Sequence, residues 1–212
     1  MRPPMKLFIL GGTGGTGKQI VAQALAAGHE VTVLARDRAR CGPDQARLRV
    51  IVGDLENGAA LADAMRGHDA VISALGRGYS FKSEHLIERT VPGVIAAMKA
   101  AGVRRLLFTS ALGVGPSAAD APLMGRLFFS TLLRGIYADK LVGDQLIRQS
   151  GLDWTIVQPS QMTDGPLTRS YRSGEHLALS GMARISRADV AHFLLDAAGD
   201  TAAVGKTLLV SN

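Results

Sequence analysis

A doubly wound α/β fold built on a parallel sheet is predicted for this chain by three observations. Short apolar runs alternate with segments of helical period. The first run ends in a glycine-rich turn that opens straight into a helical segment. Glycine is abundant, 25 of 212 residues, as tight strand-to-helix turns require. Strands separated by helices imply βαβ units and right-handed crossovers. At this length one domain over residues 1–212 is expected, with residues 159–184 as a small substrate-side segment.

The elements follow in order. Residues 6–10, KLFIL, make a buried strand. Residues 15–27 make a helix with Ile20, Val21, Ala24 and Leu25 on one face, stopped by Gly28. Strands are expected at 30–34 and 48–52, a short helix at 58–65 and a strand at 69–74. A long helix at 83–101 carries Pro92, where it should kink. Residues 104–110 form a strand, 137–149 a helix closed by Ser150 and Gly151, and 153–157 a strand. A last strand lies at 207–210. The stretch 111–133 mixes Gly, Pro and Ala with a Met, Leu and Phe patch and is a candidate lid.

Composition narrows the function. Apolar residues at 47 % and charged residues at 20 % describe a folded globular chain. The single cysteine, Cys41, permits no internal disulfide. No signal peptide and no apolar run of membrane-spanning length is visible, so a cytoplasmic location with no membrane partner is expected. The net charge of +6 fits a basic cleft for an anionic ligand. Aromatic residues are only 5 % and do not interleave with basic ones, so no nucleic acid partner is expected.

The stretch KLFILGGTGGTGKQIVAQAL carries two overlapping phosphate-binding patterns. Gly12, Gly17 and Lys18 match the loop of nucleotide triphosphatases. That loop needs a Ser or Thr after its Lys to ligate magnesium, and Gln19 stands there. Asp54 can imitate the acidic partner, yet the rest of the chain is left unexplained. Gly12, Gly14 and Gly17, or Gly11, Gly14 and Gly17, match a dinucleotide-binding turn without exemption. Gly11 or Gly12 permits the tight turn, Gly14 admits the pyrophosphate and Gly17 lets helix and strand pack closely. The anion then sits on the helix N-terminus, with hydroxyls from Thr13 and Thr16 beside it.

After the second strand, an NAD site places an acidic residue to bond the ribose hydroxyls. Here VLARDRAR puts Arg36 at that point, with Arg38 and Arg40 beyond. A planar guanidinium suits a 2′-phosphate, so NADP(H) is favoured, with Asp37 as the contrary neighbour. Asp54 in VGDL can accept from the adenine amino group or cap the helix that follows. SALG, residues 73–76, passes along the cofactor.

Together GGTGGTG, VLAR, VGDL, FTSALG, SGLDWTIVQPS and ISRADVAHFLL resemble the atypical short-chain dehydrogenases/reductases with a bare NAD(P)H-binding domain. The likeness is strongest to the biliverdin-IXβ reductase or flavin reductase group, and it includes the late segment DGPLTRSY. The resemblance implies an NADPH-dependent oxidoreductase, a flavin reductase in kind. It would pass hydride to a planar acceptor such as a flavin, quinone or tetrapyrrole, and act as a monomer or weak homodimer. It implies that Gly11, Thr13, Gly14, Gly15, Thr16 and Gly17 hold the pyrophosphate. Arg36 and Arg40 would take the 2′-phosphate, and Asp54 and Leu55 would flank the adenine. Leu75 and Gly76 would line the path to the nicotinamide, beside Thr109 and Ser110. Pro159, Ser160, Gln161 and Met162 would close its far side.

There are departures. The larger family uses Tyr-x-x-x-Lys, whereas Tyr137 and Lys140 are three apart, and the dyad is not assigned. Gln161 stands where the flavin reductase group tends to carry histidine. Ser110 is the expected catalytic contact, as a hydrogen-bonding group and not a nucleophile, since no histidine pattern supports a triad. The five histidines show no metal spacing. ISRAD reads as a helix cap, Ser186 before Asp189. Tyr79 and Phe81 are equally stacking residues or lid packing. Two further readings remain: a non-catalytic NADP(H) sensor, and a sugar-nucleotide epimerase relative, for which the chain is short.

Overall fold

The computed structural model describes residues 3–76, 85–120 and 134–212. Its centre is an eight-stranded sheet in which apolar runs become strands. The strands are β1 (Lys6–Leu10), β2 (Glu30–Ala35), β3 (Leu48–Val52), β4 (Ala70–Ser73), β5 (Arg105–Thr109), β6 (Asp153–Pro159), β8 (Arg172–Gly174) and β10 (Lys206–Ser211). Their order is β3-β2-β1-β4-β5-β6-β10-β8. All pairs are parallel except β10 with β8, which is antiparallel, so the sheet is mostly rather than wholly parallel. A second, two-stranded sheet joins β7 (Gln161–Thr163) to β9 (Arg184–Ser186).

The period of two along each strand divides the core. On β1, Leu7 and Ile9 enter one apolar cluster, and Phe8 and Leu10 enter the other. The first cluster receives Ile20 and Ala24 from α1 (Gly15–Ala26) and Val190, Ala191 and Leu194 from α5 (Arg187–Ala198). The second receives Leu61 and Met65 from α2 (Gly58–Met65), Val91 and Met98 from α3 (Leu86–Ala101), and Ile147 from α4 (Arg134–Arg148). Helices therefore cover both faces, as a doubly wound sheet requires. The helix α3 contains Pro92 within its span, and α4 starts three residues earlier than its periodicity predicts. The connection from β2 to β3 contains no α-helix, only a 3-10 turn at Arg38–Cys41.

Strand order reverses between β1 and β4: β2 and β3 lie on one side, β5 and β6 on the other. Ligands in such sheets bind beyond the strand ends at that reversal. The loops leaving β1 and β4 touch there. Gly11 has φ +77°, and a Cβ on it would stand 2.6 Å from the Ala74 carbonyl oxygen.

The substrate-side stretch contains β7 and β8 and runs into β9, none of which periodicity found. It is anchored by the buried Asp189. Its carboxylate accepts from Thr168 N, Thr168 Oγ1 and Arg169 N at 2.9, 2.9 and 2.7 Å, and from Ser186 Oγ at 2.8 Å. Ser186 caps α5 as expected, accepting from Asp189 N.

Candidate functional site

A cavity of about 230 Å³ lies at the sheet reversal. One end is the turn from β1 into α1. Gly14 is extended, φ −78° and ψ 170°, and starts α1 with no side-chain cap, so the first-turn N–H groups have no side chain across them. A Cβ on Gly17 would stand 2.1 Å from the Gly11 carbonyl oxygen, so only glycine lets the helix seat against the turn. An anion therefore finds a tight backbone cradle at a helix N-terminus, which is what a pyrophosphate needs. Gly14, Gly15 and Thr16 line the cavity there, and Thr16 Oγ1 lies 3.5 Å from Met162 Sδ across the mouth.

Leu75, Gly76, Thr109 and Ser110 also line the cavity. Thr109 and Ser110 are buried at the end of β5; the Thr109 hydroxyl has no hydrogen-bond partner among the described residues, whereas the Ser110 hydroxyl is directed at the Asp144 carboxylate. Buried hydroxyls are ordinarily satisfied, so the unpartnered Thr109 hydroxyl of a cavity-lining residue fits a polar ligand group. Met162 lines the same cavity. Pro159 ends β6 and Ser160 follows it, both buried, with Ser160 Oγ bonding Ser211 Oγ at 3.0 Å, while Gln161 is exposed in β7.

The adenosine end lies past β2 and β3. Arg36 and Arg40 are exposed. Arg38 is engaged by Asp44. Asp37 accepts from Ala39 N at 2.9 Å and caps the 3-10 turn, so its closeness to Arg36 has a structural reason. Asp54 accepts from Glu56 N at 2.8 Å and Asn57 N at 3.2 Å, which turns the chain toward α2 and leaves Leu55 half-buried beside it. Asn57, not Asp54, caps α2.

Lys140 is the site residue that the sequence reading passed over. It lines the cavity with Ile136 and Asp139, and its Nζ donates to the Thr109 carbonyl oxygen at 3.4 Å. Burial lowers its pKa, against the opposing pull of Asp144 and Asp139. A Tyr-x-x-x-Lys pattern ending at Lys140 begins at Ile136, so the lysine is in place and the tyrosine is replaced by an apolar wall. Tyr137 instead donates to the Leu112 carbonyl oxygen at 3.0 Å, and burial pushes its hydroxyl pKa up. Asp139 caps α3 from the neighbouring helix, accepting from Ile87 N at 3.1 Å and Glu88 N at 2.8 Å. Behind Ser110, the buried Asp144 accepts from Gln158 Nε2 at 3.1 Å, and burial raises its pKa.

Tyr79, Phe81 and most of the candidate lid, 121–133, fall outside the described residues. Among the described residues, His85, Glu88 and Asp139 bring ligand atoms within 4.8 Å of one another, but both Asp139 oxygens already serve the α3 amides. His29 and His68 are structural, accepting from Met5 N and bridging Met65 to Thr32.

A family model described as NAD(P)H-binding matches residues 11–201. The chain belongs to that family. The family is oxidoreductase-like and NAD(P)H is its cofactor. UPF0659 protein YMR090W of Saccharomyces cerevisiae is 28 % identical over 99 % of this chain and 94 % of its own length. Bifunctional pinoresinol-lariciresinol reductase 2 of Linum usitatissimum is 28 % identical over 72 % of this chain, a match that spans 46 % of that relative. A short-chain dehydrogenase/reductase from Veillonella parvula, solved in complex with NADP, shares the fold with a TM-score of 0.83 at 20 % identity, over 98 % of this chain and 94 % of that one. No described helix is long and apolar enough to cross a membrane.

Proposed function

We propose that this protein is an NADPH-dependent reductase acting on a flat conjugated acceptor, a flavin, quinone or biliverdin-like molecule. The observation that carries the reading is one cavity joining the pyrophosphate cradle to Thr109, Ser110 and Lys140 between apolar walls. Leu75, Leu86, Ile87, Ile136 and Met162 offer those walls to an aromatic ring system. The exposed Arg36 and Arg40 favour NADPH over NADH.

Gly11, Thr13, Gly14, Gly15, Thr16 and Gly17 hold the pyrophosphate in this reading, Arg36 and Arg40 the 2′-phosphate, and Asp54 and Leu55 the adenine. The bound nicotinamide supplies the hydride. Ser110 Oγ orients the acceptor, and Lys140 holds a proton at Nζ on the cavity wall. Leu75, Gly76 and Met162 keep the reacting faces together and exclude water, so catalysis rests chiefly on positioning.

The test is consumption of NADPH and NADH by the pure protein, with and without FMN. Acceptor-dependent consumption favouring NADPH is expected. A second reading, a non-catalytic NADP(H) sensor, draws on Ile136 standing where the larger family has its tyrosine. NADPH that binds yet is never consumed, across flavins and quinones, would establish that reading instead.

A further inference from the structure

Arg187 lies against the phosphate cradle although no loop motif includes it. It is the first residue of α5, and its side chain reaches across to α1. A Cβ built on Gly15 would stand 2.9 Å from Arg187 Cδ and 3.0 Å from its Nε, so the guanidinium stem rests on the first residue of α1. Arg187 lines the same cavity as Gly14, Gly15 and Thr16. Its side chain is only 16 % exposed, and Nη1 donates to Asp164 Oδ1 at 2.7 Å, whereas Asp164 is 73 % exposed.

The charges here are lopsided. A helix N-terminus carries a partial positive charge. The helix α5 answers its own with Asp189 in the first turn and the Ser186 cap. The helix α1 has no acidic residue in its first turn and no side-chain cap. Into that uncompensated end the fold sends a further cation. Two positive features converging on one cavity suit a multiply charged anion, and Asp164 supplies a single charge from the solvent side. A pyrophosphate can take the α1 N–H groups and the guanidinium fork together.

We propose that Arg187 is a pyrophosphate ligand of the dinucleotide, and that Asp164 is its stand-in counter-ion, releasing the guanidinium when the cofactor binds. The proposal rests on reading the turn at 11–17 as the cofactor cradle. Asp164 directly follows β7, so this exchange of partners occurs at the start of the substrate-side stretch, ahead of its anchor on Asp189.

The experiment is calorimetric titration of wild type, R187Q and D164N with NADPH and with adenosine 2′-monophosphate, which keeps the 2′-phosphate and lacks the pyrophosphate. R187Q is expected to weaken NADPH about tenfold or more, the loss of a charge-assisted pair, and to leave adenosine 2′-monophosphate unchanged. D164N is expected to tighten NADPH several-fold, because a competing and repelling carboxylate is gone. Wild-type NADPH affinity in R187Q, or equal loss of both ligands, overturns the proposal. Should R187Q fail to fold, D164N decides alone: unchanged or weaker NADPH binding overturns it. Failure of the cradle reading is separate, since wild type would then not bind NADPH.

Discussion

Lys140 Nζ is tied to the Thr109 carbonyl oxygen at 3.4 Å, which fixes an amine at the C-terminal end of β5, one residue from Ser110. Its burial lowers its pKa. If the amine delivers the acceptor's proton, Lys140→Met will cut acceptor-dependent turnover by about 100-fold or more while NADPH affinity changes little. The alkaline limb of the rate profile will lie below the usual lysine value of about 10.4 and will vanish in the variant. Steady-state rates against pH, beside NADPH titrations, check both points.

Arg36 is exposed past the end of β2, with Asp37 committed to the turn. Arg36→Asp removes a guanidinium and adds a repelling carboxylate. NADPH affinity should fall by roughly 10- to 100-fold, the scale of a charge-assisted phosphate contact, with NADH binding held or improved. The ratio of the two dissociation constants is the readout.

Gly17 is a steric test of the cradle. Its added Cβ would meet Gly11 O at 2.1 Å and Gly12 Cα at 2.7 Å, both backbone atoms. Gly17→Ala must lift α1 from the turn, at a cost of about 1–3 kcal/mol for such overpacking, and should abolish NADPH binding. Thermal melting and titration separate the two losses.

Asp189 gives a pH prediction. Burial alone would raise its carboxyl, but donors from Arg169, Ser186 and Thr168 outweigh it and hold it below the usual carboxylate range. The folded pKa is thus depressed from an unfolded value of about 3.9, so its stabilisation is complete above that value and lost as pH falls through the folded pKa. Asp189→Ala strands those donors and should cost about 3 kcal/mol or more at neutral pH. The variant will also show a shallower acid limb in melting temperature against pH.

The six parallel strands from β1 to β6 and the helices between them were legible because buried runs and helical periods are long-range patterns. The glycine roles were legible too, since Gly11 and Gly17 meet backbone that only glycine tolerates. The strands β7, β8 and β9 were not, being three residues each and partly polar, with pairing set by distant segments. Lys140 was hidden by Tyr137, which offers a tyrosine in the wrong register while Ile136 holds the right one. Arg187 was hidden inside ISRAD, a stretch whose capping role is real but accounts only for Ser186 and Asp189. Its contact with Gly15 spans most of the chain and leaves no local signal.

The connection from β2 to β3 makes its crossing by a single 3-10 turn. In the proposed reading, choice between the two redox pools resides in a short surface loop, apart from the strand ends assigned to the acceptor. Grafting that loop between relatives should carry coenzyme preference with it and leave substrate range behind, so the two traits are free to diverge independently in evolution.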